Sequence, residues 1–156
     1  MSTERPADNS LSYLEIGDSS ADPLVLVSGA GSTKESWGEL APALAEHFRV
    51  ICFDCPGLGG SAPPADRLDT ATLADRIAAL LDDLGITAAP VLVVAGEQDT
   101  LAPPRFGRQV SELVADGRFE LFTGPGSSHA LGLERSAEFV PLVRDFLARH
   151  PLPVAL

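Results

Sequence analysis

The sequence predicts an α/β fold, with a mostly parallel sheet and helices on both of its faces. Three observations predict it. Short apolar runs alternate along the chain with stretches of helical periodicity. Three of those runs, at residues 24–27, 50–53 and 91–94, are continuously apolar, as strands buried on both faces are. Each is followed by a polar turn that contains glycine, and turns at the carboxyl ends of parallel strands are where such sheets bind ligands.

The elements follow in order. Residues 1–10 are polar and read as a disordered lead. Residues 11–16 alternate well enough for a strand, and residues 18–22 turn. Leu24-Val25-Leu26-Val27 is the first buried strand, and it ends at Ser28-Gly29-Ala30-Gly31-Ser32. Trp37, Leu40, Ala41, Leu44 and Phe48 then recur at helical spacing. Val50-Ile51-Cys52-Phe53 is the second buried strand, followed by a glycine-rich loop from Asp54 to Ser61 that continues to Leu68. Thr70 or Thr72 is expected to cap the next helix, whose apolar face is Leu73, Ile77, Leu80, Leu81 and Leu84, with Gly85 as its stop.

Pro90 leads into the third buried strand, which turns at Gly96-Glu97-Gln98-Asp99. Residues 105–115 read as a helix with Val110, Leu113 and Val114 inward. Phe119-Glu120-Leu121-Phe122 alternates as a fourth strand, and a loop runs from Gly124 to His129. Residues 136–150 are mostly helix, with Phe139, Leu142, Val143, Phe146 and Leu147 apolar and Pro141 early in it. Residues 151–156 form a tail. The expected organisation is one domain over 11–150 in a chain of 156 residues, without internal repeats.

The formal net charge is −11, from 22 acidic and 11 basic residues, which makes phosphate backbones and anionic membranes poor partners. No apolar run approaches the roughly 18 residues of a membrane span. The polar start holds no signal-peptide core, so a cytoplasmic location is expected. Cys52 and Cys55 form a Cys-x-x-Cys, but Cys52 lies within a strand pattern, and zinc would need two further ligands. Their expected role is packing. No metal and no organic cofactor is called for. Gly29-Ala30-Gly31-Ser32-Thr33-Lys34 lacks the spacing of a phosphate loop, and Lys34 stands where a dinucleotide fingerprint needs its third glycine.

Four segments carry a resemblance. The strand ending in Ser28-Gly29-Ala30-Gly31, followed by Trp37, resembles the oxyanion-loop strand of α/β-hydrolases, with Ser28 where that family usually has histidine. Asp54-Cys55-Pro56-Gly57-Leu58-Gly59-Gly60-Ser61 looks like the family's Asp-x-x-Gly-x-Gly-x-Ser loop. Residues 90–99 are similar to the strand that ends in the acid of the catalytic triad. Gly124-Pro125-Gly126-Ser127-Ser128-His129, followed by Glu134, looks like the segment that carries the triad histidine. The four occur in family order over about residues 11–148.

The resemblance implies a reduced α/β-hydrolase-like three-layer sandwich. It assigns the acid to Asp99 and the histidine to His129, and an oxyanion or substrate-binding role to Gly29, Ala30, Gly31 and Trp37. The family's nucleophile strand, its Gly-x-Ser-x-Gly turn and its cap have no counterpart, because Gly85-Ile86-Thr87-Ala88-Ala89 runs straight into Pro90-Val91. Ser128, in a Gly-x-Ser-x-small pattern, and Ser28 or Ser32, in the oxyanion loop, are the candidate replacements. Cys55 is a stronger nucleophile in principle, with nothing nearby in sequence to lower its pKa.

The expected activity is hydrolysis of a small ester, lactone or related carbonyl substrate by the His129–Asp99 pair. The alternative is a non-catalytic binding or assembly module. Loss of central strands leaves two expected repairs. Either the later strands move in beside the first, or two chains combine their sheets, so a homo-oligomer is expected.

Overall fold

In the computed structural model of the chain, the residues described are 11–27, 31–64, 69–87, 90–113 and 117–150. Chain contacts group into two compact units, Met1–Thr87 and Ala88–Leu156. The boundary falls at the junction where the sequence passes directly from the helix before Gly85 to Pro90.

In the first unit, β1 (Tyr13–Ile16), β2 (Pro23–Leu26) and β3 (Arg49–Phe53) form a sheet of order β1-β3-β2. β2 runs parallel to β3, pairing Leu24 with Val50 and Leu26 with Cys52. β1 runs antiparallel to β3, pairing Tyr13 with Phe53. Four consecutive residues of β3, Val50 to Phe53, are fully buried, which explains their unbroken apolar run. Ile51 and Phe53 pack with Leu80, Ile77 and Leu81 of α2 (Thr70–Asp83), together with Leu11, Leu84 and Ile86. Val50 and Cys52 point to the opposite face by strand alternation. α1 (Leu40–Ala45) also packs on β3 and buries Leu40, Ala41 and Leu44.

Two local expectations are corrected in this unit. The helix expected from Trp37 onward is broken in two, a 3-10 turn over Lys34–Trp37 and then α1, separated by Gly38 at φ 46°. The cap of α2 is Asp69, whose carboxylate accepts from the Thr72 N–H at 2.8 Å, and neither threonine takes that part.

The glycine-rich loop after β3 is built around a buried charge. Asp54 is fully buried, and its Oδ1 accepts from the Lys34 backbone N–H at 2.7 Å. Its Oδ2 accepts from Lys34 Nζ at 2.8 Å and from the Gly60 N–H at 2.9 Å. A Cβ on Gly59 would sit 2.2 Å from Asp54 Oδ2, so only glycine lets the loop close over the carboxylate. Lys34 Nζ also donates to Ser12 Oγ at 3.2 Å and pairs with Glu35 at 3.1 Å. Burial pushes the Asp54 carboxyl up, but the Lys34 and Gly60 donors outweigh it and hold the group below its ordinary range. Burial likewise pushes Lys34 down, and Asp54 and Glu35 outweigh it, leaving the ammonium above its ordinary value. Both partners are therefore charged. Lys34, unassigned by the sequence, ties the segment just after the 28–32 turn to the strand that follows.

In the second unit, β4 (Leu92–Gly96) and β5 (Arg118–Phe122) pair in parallel, Val94 opposite Glu120. α3 (Pro104–Leu113) packs on both strands. Val110, expected inward, is 49% exposed, as is Phe106 at 50%. Gly107 and Ser111 face the sheet instead. A Cβ on Gly107 would lie 3.1 Å from the Phe119 ring and 3.2 Å from Val93, so the missing side chain lets the helix settle close. Leu113 as a side chain and Val114 lie outside the described residues. A short α4 (Leu131–Glu134) leads into α5 (Ser136–Arg149), which buries Phe139, Val143 and Phe146 and runs through Pro141. Phe139 stacks on Phe122 at 5.6 Å between ring centroids. Among the described residues, no helix is long and apolar enough to cross a membrane.

Candidate active site

Asp99 lies in the turn that ends β4. Its N–H donates to Gly96 O at 3.1 Å, closing the turn. Its Oδ1 accepts from the N–H groups of Leu101 at 2.9 Å and Ala102 at 2.8 Å. These donors consume one carboxylate oxygen and aim the other. Oδ2 meets His129 Nδ1 at 2.9 Å. Burial raises the Asp99 pKa, but the Ala102 N–H, His129 and the Leu101 N–H outweigh it and keep the carboxyl below its usual range. An ionised carboxylate only accepts, so Nδ1 carries the hydrogen and the neutral ring keeps its lone pair on Nε2. Nε2 is buried and has no hydrogen-bond partner among the described residues. A histidine held in this way through Nδ1 is chemically able to accept a proton at Nε2.

The histidine loop is fastened to the acid turn through its backbone. Gln98 N–H donates to Ser127 O at 2.9 Å, and Glu97 N–H donates to Phe122 O at 2.8 Å. The Gly124 N–H donates to Glu97 Oε2 at 3.2 Å. A Cβ on Gly96 would lie 2.1 Å from Ser127 O. The two loops therefore touch backbone to backbone, and a side chain at position 96 has no room. Ser127 is fully buried and donates to Gly124 O at 2.6 Å, which closes the loop upon itself.

Ser128 does not face the imidazole. Its Oγ donates to Glu134 Oε2 at 2.6 Å and accepts from the Ala130 N–H at 3.2 Å. Ser28, Gly29 and Ala30 lie outside the described residues. Gly31 has φ 83° and a Cβ there would meet nothing within 4 Å. Ser32 is half-buried. Trp37 closes the 3-10 turn, and its Nε1 is buried without a partner among the described residues. Gly31, Ser32 and Trp37 belong to the first unit, Asp99 and His129 to the second. Burial, with the Glu35 charge adding to it, pushes the Cys52 thiol up to about 12, and burial with the Asp54 charge also raises Cys55. Both shifts oppose thiolate chemistry.

The fold has counterparts among known proteins. The model of an alpha/beta hydrolase family matches residues 24–96. An esterase from Rhodococcus sp. superposes with a TM-score of 0.75 over 94% of this chain and 98% of its own, at 16% identity. The matched residues are just under half of the chain, and the esterase likeness shows that the fold is that of α/β-hydrolases. Among the described elements, α2 is followed in sequence by β4. At the level of sequence it is similar to the dihydrolipoyllysine-residue acetyltransferase component of the acetoin cleaving system of Pseudomonas putida, 43% identical over 79 residues. That alignment covers 51% of this chain and 21% of the relative. A soluble epoxide hydrolase of Corynebacterium sp. is 39% identical over 70 residues, covering 45% of this chain and 24% of that protein. The chain thus spans about a quarter or less of the length of these curated relatives. The esterase likeness bears on the fold alone.

Proposed function

We propose that the chain hydrolyses small esters, lactones or related carbonyl compounds, with His129 as general base and Asp99 as its orienting acid. The observation that carries this is the 2.9 Å contact between His129 Nδ1 and Asp99 Oδ2, with Nε2 left unpaired. In this reading Nε2 takes a proton from water as the water oxygen attacks the carbonyl carbon. The same proton then passes to the departing alkoxide, giving an acid and an alcohol with no covalent enzyme intermediate. The match of residues 24–96 to an alpha/beta hydrolase family supports hydrolysis, and an enol-lactonase from Burkholderia xenovorans shares the fold at a TM-score of 0.70.

The test is release of nitrophenol from p-nitrophenyl acetate, and ring opening of a simple lactone, by wild type, His129→Ala and Asp99→Asn. General-base loss is expected to cost about 10²–10⁴ in kcat. Undiminished hydrolysis by His129→Ala refutes the reading. Treatment with a fluorophosphonate, followed by peptide mapping, separates this water mechanism from a serine one. An adduct on Ser28, Ser32 or Ser128 would name a nucleophile. The second reading, a non-catalytic binding module, is favoured by the lack of any Gly-x-Ser-x-Gly in the chain. Saturable ligand binding without turnover would establish it. We also propose that two copies associate, because β2 is an outer strand of its sheet. Light scattering that gives a single monomer mass would remove that proposal.

A further inference from the structure

A histidine on a loop makes a useful base only if something fixes the loop, and Asp99 restrains only the ring. Glu134, the last residue of α4, reaches back to the residue before the histidine. One of its oxygens, Oε2, accepts both the Ser128 N–H at 3.2 Å and the Ser128 hydroxyl at 2.6 Å. The same hydroxyl accepts from the Ala130 N–H at 3.2 Å. The residues on either side of His129 are therefore both held, directly or through one hydroxyl, by a single carboxylate. Four residues lie between Glu134 and His129, so the loop and α4 close a small ring of chain.

The upstream half of the loop is held separately. Arg135 Nη1 donates to Thr123 O and to Pro125 O, each at 3.2 Å. Its guanidinium lies 5.3 Å from the centroid of the Phe122 ring and pairs with Glu138 through Nε and Nη2. Gly126, at φ 73°, brings the backbone close enough that a Cβ would lie 3.4 Å from Arg135 Cδ. This half is held by Arg135, and Ser127 by Gln98; the Glu134 contacts add a restraint at Ser128 and, through its hydroxyl, at Ala130, the two residues that flank His129.

We infer that Glu134 is a positioning residue for His129, holding the Ser128–Ala130 backbone so that Nδ1 faces Asp99 and Nε2 bears the lone pair. In this arrangement the Ser128 hydroxyl is a connecting strut and takes no part as nucleophile. The inference rests on the proposed hydrolysis only for its consequence in turnover, since the state of the ring is observable without substrate.

The experiment is nitrogen–proton correlation NMR of the histidine side chains in the full chain, at a pH where the rings are neutral. The His129 signals are assigned by their loss in His129→Gln, which separates them from His47 and His150. Wild type is expected to show a single tautomer with hydrogen on Nδ1 and a low-field Nδ1–H signal. Glu134→Ala is expected to lose the low-field signal and populate both tautomers while the protein remains folded by circular dichroism. Glu134→Gln keeps an oxygen that can accept both Ser128 donors and is expected to restore the wild-type spectrum. A merely structural loss would not be expected to separate those variants by tautomer at equal folded fraction.

Should Glu134→Ala fail to fold, Ser128→Ala decides. It removes only the hydroxyl strut and is expected to shift the tautomer ratio in the same direction by a smaller amount. An unchanged His129 spectrum in Glu134→Ala, or in Ser128→Ala where the first does not fold, overturns the inference. A wild-type spectrum with the locked tautomer but no hydrolysis would sink the proposed function and leave this inference standing. Hydrolysis by wild type with an unaltered tautomer in the variants would do the reverse.

Discussion

Replacing Lys34 with methionine tests the buried ion pair that organises the first unit. The substitution keeps most of the side-chain volume and removes one charge. Asp54, with no exposed surface, would keep the Lys34 and Gly60 backbone donors at 2.7 and 2.9 Å but lose its only cation within hydrogen-bond reach among the described residues. Removing one partner of a buried pair typically costs about 3–5 kcal/mol, and the two surviving donors place this case near about 3 kcal/mol. With a urea dependence of about 2 kcal/mol per molar, the midpoint should fall by about 1.5 M. Trp37, the one tryptophan of the chain, sits three residues from the substitution in the same unit, so its fluorescence follows the relevant transition.

The pH dependence has a definite sign. The folded-state pKa of Asp54 is depressed, so its contribution is present above the ordinary carboxylate range and lost as pH falls through the folded value. The folded-state pKa of Lys34 is raised, so its contribution is present below the ordinary lysine value and lost as pH rises through the folded one. Without the Lys34 side chain, the largest of the effects that lower the Asp54 pKa is lost, so that pKa moves up from its wild-type value. The deficit of Lys34→Met should then narrow as the pH is taken from about 7 to about 5, because a neutral carboxyl is cheaper to bury. Asp54→Asn added to Lys34→Met should cost less than the two single changes summed, which is the signature of a coupled pair. A midpoint within about 0.3 M of wild type at neutral pH, with additive single and double variants, refutes the reasoning.

Gly96→Ala should destabilise by about 1–3 kcal/mol, because its Cβ would meet the Ser127 carbonyl at 2.1 Å and backbone must yield. A melting scan should show a Tm lower by about 4–10 °C, and an unchanged Tm would mean that the two loops do not meet as described. Cys52 should resist iodoacetamide in the folded protein, since it is fully buried and its thiol is pushed up to about 12. Peptide mapping should find Cys52 labelled only after denaturation in urea; stoichiometric native labelling within minutes would contradict its burial.

Much of the architecture was legible from residue pattern because burial imposes period and composition directly. The unbroken Val50-Ile51-Cys52-Phe53 run marks a strand covered on both faces, and the spacing of Ile77, Leu80, Leu81 and Leu84 marks the buried side of α2. Asp99 and His129 were legible through their turns, and the structure brings them to 2.9 Å. At two places where the pattern misled, a glycine was the reason. At α3, Gly107 and Ser111 face the sheet while Phe106 and Val110 face out, since close approach was worth more to the packing than a larger apolar side chain. At Gly38, a positive φ cuts short a helix that the apolar spacing would have carried through.

The sequence by itself determined most strands and helices, which turns follow the strands, and the expectation that Asp99 and His129 lie in two of those turns. Those properties depend on neighbours along the chain, on periodic burial and on turn chemistry. Tertiary structure alone decided the partners across long gaps. Lys34 meets Asp54 across 20 residues, Glu97 meets Gly124 across 27, and Ser128 turns to Glu134 and away from the imaginable role of nucleophile. A lysine after a glycine turn carries no mark of burial, and a serine beside a histidine carries no mark of direction. Both are fixed only when the folded backbone sets one polar group within hydrogen-bond reach of another, and for Lys34 and Asp54 burial also excludes the water that would otherwise satisfy them.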